Sequence, residues 1–279
     1  MKKTILAAIQ MASSPSVSGN LVEAGRLIQT AAAKGAKLIV LPENFALMGL
    51  HENDKLEVAE NEGEGPIQDF LAKTAKTEKV WLIGGTIPIK AASGKVRAAS
   101  LVYNDKGQRV GRYDKIHLFD VNVPGTQEKY EESATIEPGE EALIVETPFG
   151  RVGFSVCYDV RFPELYRKLS QAGMDILVVP SAFTARTGAA HWEVLVRAHA
   201  IENLCYAIAP NQGGFHKNGR ETFGHSMIVD PWGTVLGSLA QGAGVVTAEF
   251  DPAHLKKVRA AFPALDHTRL LSHSAQGLP

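Results

Sequence analysis

At 279 residues, with 45% hydrophobic and 21% charged side chains, the chain is long enough to bury a large core and too apolar to be a disordered tract. A formal charge of −1, with no Lys/Arg stripe interleaved with aromatics, excludes a nucleic-acid groove, and no apolar run approaches the ~20 residues of a membrane span. Two cysteines 48 positions apart, with no C-x-x-C, exclude a disulfide framework and a thiolate zinc site and suit a reducing, cytoplasmic setting.

The opening MKKTILAAIQM imitates a secretory leader, with Lys2 and Lys3 ahead of an apolar stretch, but Gln10 interrupts that stretch and a buried first strand fits as well. From residue 20, Leu21, Ala24, Leu27, Ile28 and Ala31 share one face. Asn20 and Glu23 stand in capping-box positions and Gly35 marks the stop, which predicts a helix covering a sheet. KLIVLPE predicts a strand, residues 66–79 a second amphipathic helix and VWLIGGTI another buried strand. Within 98–113 the Asn104-Asp105-Lys106-Gly107 turn joins two strand-like runs, and Pro148-Phe149-Gly150 does the same before GFSVC. There follow a helix over 163–172, a strand over 175–182, a helix over 189–203, a strand over 205–212 and paired strands around HSMIVDPWGTVLG. Helices beside strands, recurring twice, predict an α/β fold with two sheets stacked face to face. No 20–50-residue period recurs, so the expectation is one domain over 1–279, with a C-terminal tail from about residue 264 that the pattern does not place.

Three apolar runs end abruptly in a reactive side chain, at Glu43, Lys115 and Cys157. Ligands gather at the carboxyl ends of strands in α/β sheets, so the three can converge in space. A free thiol is only slightly ionised near neutrality and needs a base, a cation or a helix N-terminus to attack. Glu43 is suited to take its proton, and Lys115 with the Tyr158 backbone N–H to hold an oxyanion. Pro163, as a first helical residue, would aim a helix dipole at the site. Each pattern also has a plainer reading: Cys157 as a packed core residue, Glu43 as a loop acid, Lys115 as a solvated surface cation. His117, two residues from Lys115, leaves a Cys/His pairing open, and Cys205, opening a buried strand, reads as structural. Metal motifs fail: HENDK has Lys where a second His is needed, and His191 and His199 lack a third ligand nearby. No phosphate-cradling glycine motif occurs, and GGF at 213–215 lacks its strand-to-helix context, so no cofactor is expected.

LPENFA at 41–46, YDKIHLFD at 113–120 and CYDVRFPEL at 157–165, in that order, resemble the Glu, Lys and Cys motifs of the nitrilase superfamily of carbon–nitrogen hydrolases. The resemblance implies a four-layer αββα sandwich of two mixed sheets flanked by helices, pairing with a second copy into a homodimer or a higher homo-oligomer. It makes Cys157 the nucleophile, Glu43 the general base and Lys115 the oxyanion cation. A second glutamate in such enzymes helps the base; Glu132 matches it, with Glu131 adjacent. RFPEL, PSAF and TGAAHWEVLVRAHAIE resemble the amidase branch that acts on deaminated glutathione, with ω-amidases for 2-oxoglutaramate as near relatives. Such small-molecule substrates carry a 2-oxo acid end, for which Arg161 is a forked partner and Thr187 a matching hydroxyl; the alternative for Arg161 is a pair with Asp159 or Glu164. A nitrilase or N-carbamoyl hydrolase would use the same three residues, and a scaffold protein would keep the fold without turnover. The helix at 189–203 is a candidate contact surface between copies.

Overall fold

The structure is a computed structural model in which residues 3–125 and 128–269 are described. The first half runs β1 (Thr4–Gln10), α1 (Val17–Ala33), β2 (Ala36–Val40), α2 (Asp54–Glu57), α3 (Pro66–Glu78), β3 (Trp81–Ile83), β4 (Ile87–Lys90), β5 (Val96–Tyr103) and β6 (Arg109–Asp114). A small hairpin follows, β7 (Asp120–Asn122) and β8 (Lys129–Glu131). The second half runs β9 (Ile144–Thr147), β10 (Gly150–Phe154), α4 (Pro163–Gln171), β11 (Ile176–Val178), α5 (Ala185–Glu202) and β12 (Tyr206–Ala209). It closes with β13 (Gly213–Phe215), β14 (Glu221–Phe223), β15 (Ser226–Val229), β16 (Val235–Leu239), β17 (Gly244–Phe250) and α6 (Pro252–Ala261).

Two mixed sheets carry the architecture. One has the order β17-β1-β2-β3-β5-β4 with β6 on β5, the other β16-β15-β12-β11-β10-β9. Each has three adjacent parallel strands, β1-β2-β3 and β10-β11-β12, as crossover helices demand, with antiparallel strands outside them. Strand alternation sorts the core. On β1, Leu6 and Ala8 pack with Leu38, Val152, Phe154 and Ile228 between the sheets, whereas Ala7 and Ile9 pack with Leu27, Ile28 and Leu71 under α1 and α3. Trp192, Val196 and Ala200 of α5 and Leu165 and Leu169 of α4 cover the second sheet. The result is the predicted αββα sandwich.

Two helix starts differ from expectation. α1 begins at Val17, with Ser16 Oγ accepting the Gly19 N–H, so Asn20 is not the cap. Its buried amide instead ties the preceding loop, accepting the Ser14 N–H at 2.8 Å and donating to the carbonyls of Ser14 and Ala46. Glu23 pairs with Arg26 on the surface. α5 begins at Ala185, four residues before the expected 189, with Thr184 as its N-cap. At Gly188, inside that added turn, a Cβ would stand 2.3 Å from Phe223, so the glycine serves packing against β14. Residues 4–10 form the expected first strand. Of the tail expected from about 264, residues 264–267 form a turn, and residues 270–279 lie outside the described residues.

Candidate active site

Glu43 sits just past β2 on a backbone held from both sheets. Gly85 (φ 52°) lies so close to Pro42 that a Cβ would come within 1.9 Å of its carbonyl oxygen, so only glycine fits. The next residue, Asn44, is also left-handed (φ 57°) and donates its N–H to Thr86 Oγ1 at 2.9 Å. From the other sheet, Gln212 Nε2 donates to the Glu43 carbonyl at 3.0 Å, while Gln212 Oε1 accepts the Ser13 N–H.

Lys115 leaves β6 with its N–H on the Ala98 carbonyl and its carbonyl accepting the Gly139 N–H. Its side chain is 1% exposed, and Nζ donates to Glu43 Oε1 at 2.8 Å and to Glu132 Oε1 and Oε2 at 2.9 and 2.8 Å. Glu132 is fixed in turn by the Phe119 N–H at 2.7 Å. Its neighbour Glu131 is 63% exposed at the side chain and turns to Lys129, so of the adjacent pair Glu132 is the one on Lys115.

Cys157 follows β10 in the left-handed region (φ 47°), a conformation that costs a non-glycine residue on the order of 1–2 kcal/mol. Its N–H is anchored on the Pro180 carbonyl at 2.9 Å, and a 3-10 helix, Cys157–Arg161, starts at once. The Tyr158 N–H is thus among the first of a helix, where no helical carbonyl lies behind it. α4 opens at Pro163 as expected, and the short 3-10 helix lies between it and Cys157.

Glu43 and Lys115 line the cleft beside Cys157, and both, with the Ala182 backbone N–H, act on its thiol. Burial, and then the Glu43 charge, push the Cys157 thiol well above its usual range, only partly opposed by Lys115. Desolvation therefore outweighs the cation at this sulfur. Burial alone would discharge Lys115, but Glu132 and Glu43 together hold its ammonium well above the ordinary lysine value.

The cleft over these groups, about 560 Å³ and open to solvent, is also lined by Tyr158, Arg161, Phe183 and Thr187. Arg161 does not pair with Asp159 or Glu164: its guanidinium lies over the Tyr158 and Phe183 rings at 5.8 and 5.5 Å and meets His191 Nδ1 at 3.2 Å. Thr187 Oγ1 lies 2.9 Å from Thr184 Oγ1, in the first turn of α5. His117 is no partner for the cysteine. Its ring stacks on Phe162 and its Nδ1 meets Asp159 at 2.7 Å.

Asp159 is the residue the sequence reading undervalued. Fully buried, it accepts from the Tyr113 hydroxyl at 2.6 Å, the His117 N–H at 3.0 Å and the Val156 N–H at 2.8 Å. It thereby locks the Lys115 segment to the Cys157 turn. Its only sequence signal was its place two residues after the cysteine, and Gln212 gave none.

A mixed αββα sandwich whose strand ends deliver a glutamate, a lysine and a cysteine to one cleft defines the class, and the comparisons agree. The carbon–nitrogen hydrolase family profile matches residues 5–260, and the chain belongs to that family of C–N bond hydrolases. It is 46% identical to the deaminated glutathione amidase of Synechocystis sp. over 96% of this chain and 98% of that protein. It is 38% identical to the human protein of that name, over 95% of this chain and 82% of that one. Saccharomyces cerevisiae Nit3, a member of branch 10 of the nitrilase superfamily, superposes with a TM-score of 0.87 at 30% identity, covering 98% of this chain and 97% of that one. Among the described residues no helix is long and apolar enough to cross a membrane.

Proposed function

We propose that the chain is a cysteine-dependent amidase of 2-oxoglutaramyl amides, with deaminated glutathione as its main substrate and 2-oxoglutarate and cysteinylglycine as products. The observation that carries this reading is the buried Glu43–Lys115–Glu132 ion set packed against the Cys157 thiol, in a cleft that also presents Arg161. The names of the relatives supply the substrate class.

At rest the thiol is neutral, since burial holds it so. As Sγ attacks the amide carbonyl carbon, its proton passes to Glu43, and the carbonyl oxygen becomes an oxyanion held by Lys115 Nζ and the Tyr158 N–H. Collapse breaks the C–N bond; Glu43 returns the proton to the departing amine and a thioester remains. Water then gives a proton to Glu43 and attacks the thioester carbonyl. The C–S bond breaks, the proton returns to sulfur, and the acid leaves. Glu132 keeps Lys115 charged and in place, while Arg161 and Thr187 bind the 2-oxo acid end.

The reading includes a homodimer in a reducing compartment, where the free thiol persists. Supporting the dimer, Val194 and Ile201 of α5 are exposed, as are Trp232 and Phe262, whose rings meet edge to face. The test is 2-oxoglutarate release by the purified protein from deaminated glutathione and from 2-oxoglutaramate, with Cys157→Ala as control. Preference for the peptide amide is expected; preference for the small amide would make the chain an ω-amidase, and no product above the control would overturn the substrate class.

A further inference from the structure

The catalytic cleft does not end at the cysteine. A second cavity of about 570 Å³ adjoins it, and Asn44, Glu52, Lys55 and Arg220 line both. Arg161 and Thr187 line only the first. The cleft therefore has Arg161 on its own wall and two more cations on the wall it shares with its neighbour.

Arg220 is built into that shared wall. It precedes β14, its N–H donates to Asn218 Oδ1, and Asn218 Nδ2 ties the loop to the Gly49 carbonyl at 2.7 Å. Its guanidinium lies against Tyr130, 4.7 Å from the ring centroid and within reach of the hydroxyl, and one terminal nitrogen meets the Met48 sulfur at 3.9 Å. Its Nε is buried and has no hydrogen-bond partner among the described residues. A guanidinium with five donors and such weak, neutral acceptors is under-satisfied, which is costly unless a ligand completes it. Lys55 stands beside it, paired with the half-exposed Glu52 at 2.7 Å, and the Arg220 charge also acts on that carboxylate.

Taking the amidase reading above as its basis, we propose that Arg220, assisted by Lys55, binds the carboxylate at the far end of the leaving amine. Deaminated glutathione carries a carboxylate at each end, with the scissile amide between them. Arg161 takes the 2-oxo acid end and Arg220 the glycyl end, across a dipeptide that extends about 7 Å. 2-Oxoglutaramate has no second carboxylate and gains nothing from Arg220. This residue therefore separates the two substrate classes.

The test compares wild type, Arg220→Gln and Arg220→Lys on three substrates: deaminated glutathione, its C-terminal carboxamide and 2-oxoglutaramate. Losing a charge-assisted pair is expected to raise KM about 10- to 100-fold, whether the arginine or the carboxylate is removed, and removing both is expected to add little more. Arg220→Lys should recover part of the loss, and kcat/KM on 2-oxoglutaramate should move far less, by about threefold at most. Equal penalties on all three substrates, or a wild type indifferent to the carboxamide, would overturn the subsite. A wild type that releases 2-oxoglutarate from none of them would overturn the amidase reading itself. Should Arg220→Gln not fold, the carboxamide comparison on wild type decides for or against the subsite without it.

Discussion

Cys157 and Cys205 are both buried beside strands of the same sheet, one after β10 and the other before β12, yet they sit in opposite chemical surroundings. Cys205 is fully buried, its sulfur 3.9 Å from the His199 carbonyl, and burial pushes its thiol from 9.0 up to about 12. Cys157 is 9% exposed at the floor of a cleft, on left-handed backbone, with a carboxylate and an ammonium against its sulfur. Both thiols resist ionisation. What separates the two in their surroundings is the Glu43 carboxylate beside Cys157, the base of the proposed mechanism, so a raised thiol value by itself does not mark an inert cysteine.

The largest expected effect comes from removing that distinction. Cys157→Ala should abolish amide turnover, by on the order of 10⁴-fold or more, whereas Cys205→Ala should retain it. In the native protein iodoacetamide should alkylate Cys157 before Cys205, read by peptide mass; equal rates would point to a scaffold protein without turnover. Glu43→Gln keeps the shape and removes the base, and a fall in kcat of about 10²- to 10⁴-fold is expected in steady-state assays. Lys115→Met should cost about 10²- to 10³-fold in kcat through the lost oxyanion donor. Because it strands Glu43 and Glu132 in the interior, urea unfolding should also show a loss of about 3–5 kcal/mol.

The smallest effect concerns Cys205 and pH. Its folded thiol is raised, so the folded state holds the proton more tightly than the unfolded chain. The stabilisation is complete below 9.0 and is lost as pH climbs through about 12. Urea midpoints measured at about pH 8 and about pH 11 should fall with pH, and less steeply in Cys205→Ala, which should cost about 1 kcal/mol at neutrality. Carbon dioxide released along with ammonia from a carbamoyl substrate would move the chemistry from amides to N-carbamoyl groups.

Much of this was legible along the chain, because it is written in short-range pattern. The hairpins at Asn104–Gly107 and Pro148–Gly150, the helix at Pro66 and the stop at Gly35 depend on turn chemistry and period, which neighbours in sequence determine. The three reactive strand ends were visible for the same reason. The capping box at Asn20 does not form because its amide serves Ser14 and the distant Ala46, and α5 starts earlier than 189 because Thr184 caps it.

Local pattern thus carried the main strands and helices, the layer class and Glu43, Lys115 and Cys157 as candidates, but not α2, β4, α6 or the β7–β8 and β13–β14 hairpins. Which of Glu132 and Glu131 meets Lys115, the turn of His117 to Asp159, and the places of Arg161 on aromatic faces and Arg220 in the shared wall emerge only from the folded chain. These choices rest on contacts between residues far apart in the chain and on burial. Desolvation fixes which charges persist and which protons stay, and a pattern along the sequence does not carry it.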